Sequence, residues 1–159
     1  LNPSSAASDV YKRQVFGVFL AQKLAKAPFT IVGDGSQTRD FTYVTDVVNA
    51  IYVAVKSSKS SRIYNVGSGD TISINRLIEL IGGNNCKKIF LPKRPGEPEV
   101  TFADITSIKN DLNWKPEISI EEGVANILEN IDYWREAPVW NKETIKHATK
   151  DWFKYLGKK

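Results

Sequence analysis

Apolar residues recur every three to four positions along several stretches of the chain, which is the pattern of helices with one buried face. This pattern predicts helices at 15–27, 45–56, 74–81, 104–112, 119–134 and 143–156. Polar residues that can cap a helix support these starts, because Ser73 and Asp104 each stand at the beginning of an apolar pattern. Ser119 is followed three residues later by Glu122, which is typical of a capping box.

Short β-branched or alternating segments lie between these helices and predict strands at 29–32, 39–44, 62–66 and 89–91. Alternation of strands and helices favours an α/β fold with some parallel pairing. Strands this few and short cannot close a sheet by themselves. We therefore expect part of the fold to lie outside this chain.

The first fourteen residues, LNPSSAASDVYKRQ, have no periodicity and no apolar face. The stretch SSAASDVYKRQ is similar to the in-frame translation of a transposon adaptor used in preparing DNA libraries. We expect residues 1–14 to be a non-native, adaptor-derived scar that does not belong to the fold. Residues 15–159 are then expected to be the C-terminal part of a longer protein.

Composition narrows the classes of protein. The net charge of +4 comes from scattered basic residues, whereas nucleic-acid binding needs them on one face, so no nucleic-acid partner is expected. No apolar run is long enough to cross a membrane, so no membrane partner is expected either. Cys86 is the sole cysteine, which excludes an intrachain disulfide and a zinc cluster and favours the cytoplasm. No residue spacing suggests a metal site or a nucleophile.

Two glycine pairs and two arginines are the remaining candidates for chemistry. The segments Gly33-Asp34-Gly35 and Gly67-Ser68-Gly69 lack the third glycine of a dinucleotide fingerprint, so structural turns are the favoured interpretation. Arginine presents a planar fork that suits phosphate oxygens. Arg39 and Arg94 are therefore phosphate-binding candidates, although on their chemistry alone ordinary surface ion pairs explain them equally well.

Five segments agree in order and spacing with one family: FTIVGDGSQTRDFTYVTDVVNAI, IYNVGSG, LPKRPGEP, ADITSIKNDLNWKP and SIEEGV. Together they resemble the C-terminal half of extended short-chain dehydrogenase/reductases of the NAD-dependent epimerase/dehydratase type, in particular UDP-glucose 4-epimerase and its relatives. The resemblance implies a partial Rossmann-type fold. Residues 46–56 would be a crossover helix and residues 62–66 a late strand of the Rossmann sheet. These late Rossmann elements would accompany a C-terminal lobe that binds the nucleotide sugar.

The resemblance also implies substrate-binding roles by motif position. Arg39 and Arg94 would clamp the diphosphate, and Glu97 would accept hydrogen bonds from the ribose hydroxyls. The same pattern places Thr101 near the sugar, where some epimerases carry an aromatic residue, so the sugar stays open.

The edge of the base would be read by the backbone of Thr30 and Val32, again by resemblance. NAD would be the cofactor, bound mainly by a part of the protein that precedes this chain. The catalytic Ser/Thr and the Tyr-x-x-x-Lys pair would also lie upstream of Val15, so no catalytic residue is assigned and the chain alone is expected to be inactive. The partner would be a UDP-linked sugar, and the intact protein a cytoplasmic homodimer.

Other functions are also compatible with these motifs. A UDP-glucuronate decarboxylase or a nucleotide-sugar 4,6-dehydratase would share these C-terminal motifs. A non-catalytic module that binds nucleotide sugars would share them too. A small unrelated α/β domain with a scaffold role is the remaining alternative.

Overall fold

Helices and short strands alternate along the residues that the computed structural model describes, 14–157. Apart from Gln14, the predicted scar lies outside them. The elements are α1 (Val15–Leu24), β1 (Phe29–Val32), β2 (Thr38–Arg39), α2 (Val44–Lys56), β3 (Ile72–Ser73), α3 (Ile74–Gly82), β4 (Lys88–Leu91), β5 (Val100–Thr101), α4 (Thr106–Leu112), α5 (Ile120–Glu129), a 3-10 turn (Ile131–Trp134), α6 (Lys142–Ala148) and α7 (Lys150–Leu156). The predicted mixture of α and β elements is confirmed.

Two small sheets organise the described residues. In the first, β1 and β4 are parallel neighbours over their full four-residue lengths. In the second, β2 lies between antiparallel β3 and parallel β5, so that Thr38 pairs with Ser73 and with Val100. Arg39 consequently stands opposite Thr101 in neighbouring strands. This register brings together two residues that are far apart in the sequence.

The main apolar core lies between β1 and helices α1, α3 and α5. Its most buried members are at most 2% exposed because helix faces with period 3.6 meet the inner face of the strand. They are Phe19, Leu20, Ile31, Leu77, Ile78 and Ile81. A smaller cluster joins α2 to α4 and consists of Ala50, Ile108 and Trp114.

The predicted caps at Ser73 and Ser119 are confirmed, whereas the predicted cap at Asp104 is wrong, because Ile105 is the N-cap of α4. Ser73 Oγ accepts from the amide of Arg76 at 3.1 Å, and Ser119 Oγ accepts from the amide of Glu122 at 3.2 Å. Asp104 Oδ1 accepts from the amide of Thr106 at 2.9 Å, although the helix itself begins at that threonine. Each bond satisfies a backbone donor that the first turn of a helix leaves without an intrahelical partner.

The last predicted helix, 143–156, is wrong as one continuous element. It is two helices, α6 and α7, that meet at Thr149. The hydroxyl of Thr149 donates to the carbonyl of Ile145 at 2.9 Å. Back-bonding of this kind competes with the helical ladder and often bends a helix.

The predicted strand at 39–44 is wrong beyond Arg39, because the chain leaves the sheet and begins α2 at Val44. The predicted strand at 62–66 is also wrong. Its alternation is real, since Tyr64 and Val66 pack on the smaller cluster while Ile63 is 96% exposed. Within residues 14–157, however, no strand pairs with this segment. A strand needs a hydrogen-bonded neighbour as well as the pattern.

Helix α2 buries a polar residue and exposes its apolar stripe. Asp46 is 3% exposed, and its carboxylate accepts from the amides of Glu117 at 3.1 Å and Ile118 at 3.2 Å. Val48 and Ile51 are each 59% exposed. The sequence pattern had identified this stripe as an apolar face, and no described residue covers it.

We expect this exposed stripe to cause the chain to self-associate, because contiguous apolar surface is removed from water when two copies meet. Ile51→Lys should lower the weight-average mass measured by sedimentation equilibrium. Asn110→Lys adds the same charge at an exposed polar position and should leave that mass unchanged. An equal drop in mass for both variants would mean that net charge, and not the stripe, controls association.

Candidate functional site

One cleft of about 770 Å³ lies between the edge of β1, the second sheet, the loop after β4 and the C-terminal helices. That volume suits a small ligand or a cofactor. All six residues predicted to bind substrate line it: Thr30, Val32, Arg39, Arg94, Glu97 and Thr101. The structure therefore brings the predicted set together in one place, while their roles toward a ligand stay predictions.

Arg39 lines the cleft, and hydrogen bonds from both terminal guanidinium nitrogens hold its side chain. Its Nη1 donates to the carbonyls of Thr38 at 2.8 Å and Glu99 at 3.3 Å. Its Nη2 lies 3.3 Å from Oε1 of Glu97 in a half-buried ion pair. The contacts described here do not use the Nε–H group or the second N–H group of Nη2. These two donors are available to bind an anion.

Arg94 projects from the loop 92–98 that follows β4. The amide of Glu97 donates to the carbonyl of Arg94 at 3.3 Å, which closes a turn within the loop. The Arg94 guanidinium lies 5.8 Å from the ring centre of Trp152, and the Trp152 indole N–H donates to the carbonyl of Pro95 at 2.7 Å. Two cationic side chains, those of Arg39 and Arg94, thus border the same cleft.

Glu97 offers an acceptor that no described residue uses. Its Oε1 faces Arg39, whereas Oε2 is buried and has no hydrogen-bond partner among the described residues. A buried carboxylate oxygen left without a donor is unfavourable. A donor that reaches this oxygen would satisfy it, and Glu97 is one of the residues that line the cleft.

The outer edge of β1 also faces the cleft. The Phe29 amide donates to the carbonyl of Lys87, just before β4, at 2.8 Å, and the Gly33 amide donates to the carbonyl of Leu91 in β4 at 2.9 Å. Alternate residues of a strand direct their backbone groups to opposite edges. The backbone groups of Thr30 and Val32 therefore point away from β4.

Two glutamine side chains use part of this edge. The amide of Thr30 donates to Oε1 of Gln22 at 3.2 Å, and the carbonyl of Val32 accepts from Nε2 of Gln37 at 2.8 Å. The prediction that the backbone of Thr30 and Val32 reads a base is thereby narrowed to two groups, the Thr30 carbonyl and the Val32 amide. They form one acceptor and one donor at neighbouring positions.

Two charged side chains near the cleft, Lys93 and Asp34, have shifted pKa values. A hydrogen bond to Glu99 raises the pKa of Lys93 above its usual value, so the exposed ammonium stays protonated. Hydrogen bonds from the Ser36 hydroxyl and amide lower the pKa of Asp34. Both residues line a smaller neighbouring cavity of about 340 Å³.

Asp40 explains one of the glycine pairs in the sequence. Its carboxylate accepts from the amides of Ser68 at 2.7 Å and Ala103 at 3.2 Å, which ties two loops to the cleft. A Cβ on Gly67 would lie only 2.5 Å from Asp40 Oδ2 and 2.6 Å from the Ala103 Cβ. Gly67 is thus required by close packing, which supports the interpretation of this segment as a structural turn.

Sequence reasoning missed the C-terminal wall of the cleft. Five residues of the segment after α5 line it: Trp140, Ile145, Ala148, Thr149 and Trp152. The sequence does contain a signal for this wall, because the apolar spacing places Ile145, Ala148 and Trp152 on one helix face. What that face packs against could not be read from a local pattern.

Residues 14–157 contain no group of three or more His, Cys, Asp or Glu side chains arranged to hold a metal ion. They also contain no strand–glycine loop–helix unit of the kind that binds a dinucleotide pyrophosphate, since neither glycine pair stands between a strand and the start of a helix. The described residues therefore do not supply the pyrophosphate-binding loop of an NAD site. None of the described helices has the length and apolar character needed to cross a membrane.

Residues 3–127 match the family model described as GDP-mannose 4,6 dehydratase. The chain is 38% identical over 123 residues to UDP-glucuronate 4-epimerase of Thermodesulfobacterium geofontis, covering 75% of this chain and 35% of that protein. The chain thus spans about a third of the length of this curated relative.

Solved structures of nucleotide-sugar epimerases are also similar to this chain. UDP-glucuronic acid 4-epimerase from Bacillus cereus, in complex with UDP-glucuronic acid and NAD, superposes with a TM-score of 0.70 at 33% identity, over 77% of this chain and 40% of that one. UDP-glucose 4-epimerase from Thermotoga maritima, with UDP-glucose, gives 0.67 at 31% identity over 77% and 40%. The expectation of a partial Rossmann-type α/β fold is confirmed by these matches.

Proposed function

Because the chain belongs to the GDP-mannose 4,6 dehydratase family, we propose that it is the nucleotide-sugar-binding part of an NAD-dependent epimerase of the UDP-glucose 4-epimerase type. The convergence of six predicted residues on one cleft carries this proposal. Arg39 and Arg94 supply positive charge for a diphosphate. The buried Glu97 Oε2 supplies an acceptor for the ribose hydroxyls.

The base would lie along the outer edge of β1. The Thr30 carbonyl accepts and the Val32 amide donates, which complements an N–H group next to a carbonyl. Uracil and guanine both present that pair. The UDP-sugars named for the Bacillus cereus and Thermotoga maritima epimerases favour uracil.

The sugar would extend toward Thr101, which stands beside Arg39 in the second sheet. Its small hydroxyl leaves room for a substituent on the sugar. NAD and the catalytic tyrosine would be supplied by the part of the fold that this chain does not contain. The intact protein is expected to be a cytoplasmic homodimer, which its sedimentation mass would test.

Titration of the 159-residue chain with nucleotides by calorimetry tests the binding proposal. We expect UDP to bind about tenfold more tightly than GDP, because a pyrimidine fits the edge of β1 without displacing the C-terminal wall. Uridine should bind more weakly than UDP, because it lacks the phosphates. Equal affinity for UDP and GDP would contradict the base assignment, and absence of UDP binding would contradict the whole proposal.

We also expect this chain to show no epimerase turnover when supplied with UDP-glucose and NAD. Binding residues alone orient the substrate, while the proton and hydride transfers need the catalytic groups and the cofactor. Anion-exchange chromatography of the sugar nucleotides after long incubation would measure this. A product peak that grows with protein concentration would contradict the proposal that the catalytic groups lie outside this chain.

A further inference from the structure

Trp152 of α7 contacts the loop that presents Arg94 in two ways. Its indole Nε1 donates to the carbonyl of Pro95 at 2.7 Å. Its ring centre lies 5.8 Å from the Arg94 guanidinium carbon, within the range of a cation–π interaction. Trp152 and Arg94 both line the large cleft. One side chain therefore contacts the backbone and the charged group of the same loop.

Besides its own turn bond, between Glu97 N and Arg94 O at 3.3 Å, and the Lys93–Glu99 ion pair, the loop has contacts with residues outside it. On one side Glu97 is held by its ion pair with Arg39. On the other side the anchor is Trp152. Arginine loses considerable rotamer freedom when it is fixed, so a ring that restricts Arg94 in advance lowers the cost of binding an anion.

We infer that Trp152 is a positioning residue that holds the loop 92–98 so that Arg94 faces the diphosphate of a bound nucleotide. This inference rests on the proposed function for the identity of the ligand. Residues 3–127 account for the family match, and Trp152 lies beyond them. The C-terminal helices would thus take part in binding through a residue that the family model does not cover.

Hydrogen–deuterium exchange of the ligand-free chain tests the anchoring without any nucleotide. Trp152→Leu removes the indole donor and all aromatic character, whereas Trp152→Phe removes the donor but keeps a smaller aromatic ring. We expect both variants to exchange faster than wild type across residues 93–97, with Trp152→Leu the faster. Tyr155→Leu, an exposed aromatic on the same helix, is the matched control and should leave that exchange unchanged.

Nucleotide titration then tests whether Trp152 affects UDP binding through Arg94. Trp152→Leu should weaken UDP binding about tenfold, because Arg94 is then no longer oriented toward the phosphate. The affinity for uridine, which has no phosphate, should stay unchanged. In an Arg94→Ala background the same substitution should cause no further loss of UDP affinity. The UDP affinity of Trp152→Phe should lie between those of the wild type and Trp152→Leu, because phenylalanine keeps an aromatic ring.

The outcomes separate the two proposals. Wild-type chain that does not bind UDP would contradict the proposed function and the diphosphate role together. Wild-type binding with unchanged loop exchange in Trp152→Leu would overturn the positioning inference alone. Equal losses for UDP and uridine, or additive losses with Arg94→Ala, would show that Trp152 merely supports the cleft wall and would also overturn it.

Discussion

Arg94→Ala is expected to weaken UDP binding about 30-fold while leaving the affinity for uridine unchanged, because a charge-assisted bond to phosphate contributes about 2 kcal/mol. The side chain lines the cleft and lies beside Trp152, so it is oriented before any ligand arrives. Its loss should remove phosphate binding without altering the edge of β1. Calorimetry with both ligands separates the two contributions.

Lys93→Ala is the matched control for this variant. It removes the same charge one position earlier, but Lys93 pairs with Glu99 and lines the smaller neighbouring cavity. We expect its effect on UDP affinity to be small and to disappear at high salt, where long-range charge effects are screened. A loss as large as that of Arg94→Ala would mean that the loop acts only through its total charge.

The second large effect is expected at Gln22, a fully buried glutamine whose amide connects three parts of the fold. Its Oε1 accepts from the Thr30 amide at 3.2 Å. Its Nε2 donates to the Thr30 hydroxyl at 2.8 Å and to the Trp140 carbonyl at 2.7 Å. One side chain therefore ties α1 to β1 and to the C-terminal wall of the cleft.

Gln22→Ala should lower the free energy of unfolding by about 3 kcal/mol, because it leaves a buried amide donor without an acceptor and opens a cavity. Urea denaturation followed by tryptophan fluorescence measures this. Lys23→Ala, at the exposed neighbouring position, should change stability by less than about 0.5 kcal/mol. Similar midpoints for Gln22→Ala and Lys23→Ala would show that the amide network contributes little.

Local structure was predictable wherever its cause is local. Ser73 and Ser119 accept from amides three residues ahead, and that geometry depends on nothing outside one turn of helix. The strand at 29–32 agrees with its β-branched pattern and the turn that follows it. The split at Thr149 was missed because a hydroxyl can either face solvent or bond back to the helix.

The candidate site was predictable only through the family resemblance. Arg39 and Thr101 acquire their proximity from the pairing of β2 with β5, which no local pattern specifies. The resemblance supplied the six lining residues, yet it did not show that Gln22 and Gln37 occupy half of the β1 edge. It also missed Trp140, in the segment before α6, and Trp152 of α7, because what these side chains pack against is decided by the tertiary structure.

Capping, turns and apolar spacing depend on interactions between residues a few positions apart. The sequence alone therefore determines the order of the helices and the positions of β1 and β4. Burial is different, because it depends on which surfaces meet. Asp46 is buried while Val48 is exposed, since two distant backbone amides capture the carboxylate and no described residue covers the valine. For the same reason only the tertiary structure places Arg94, Glu97 and Trp152 around a common cleft.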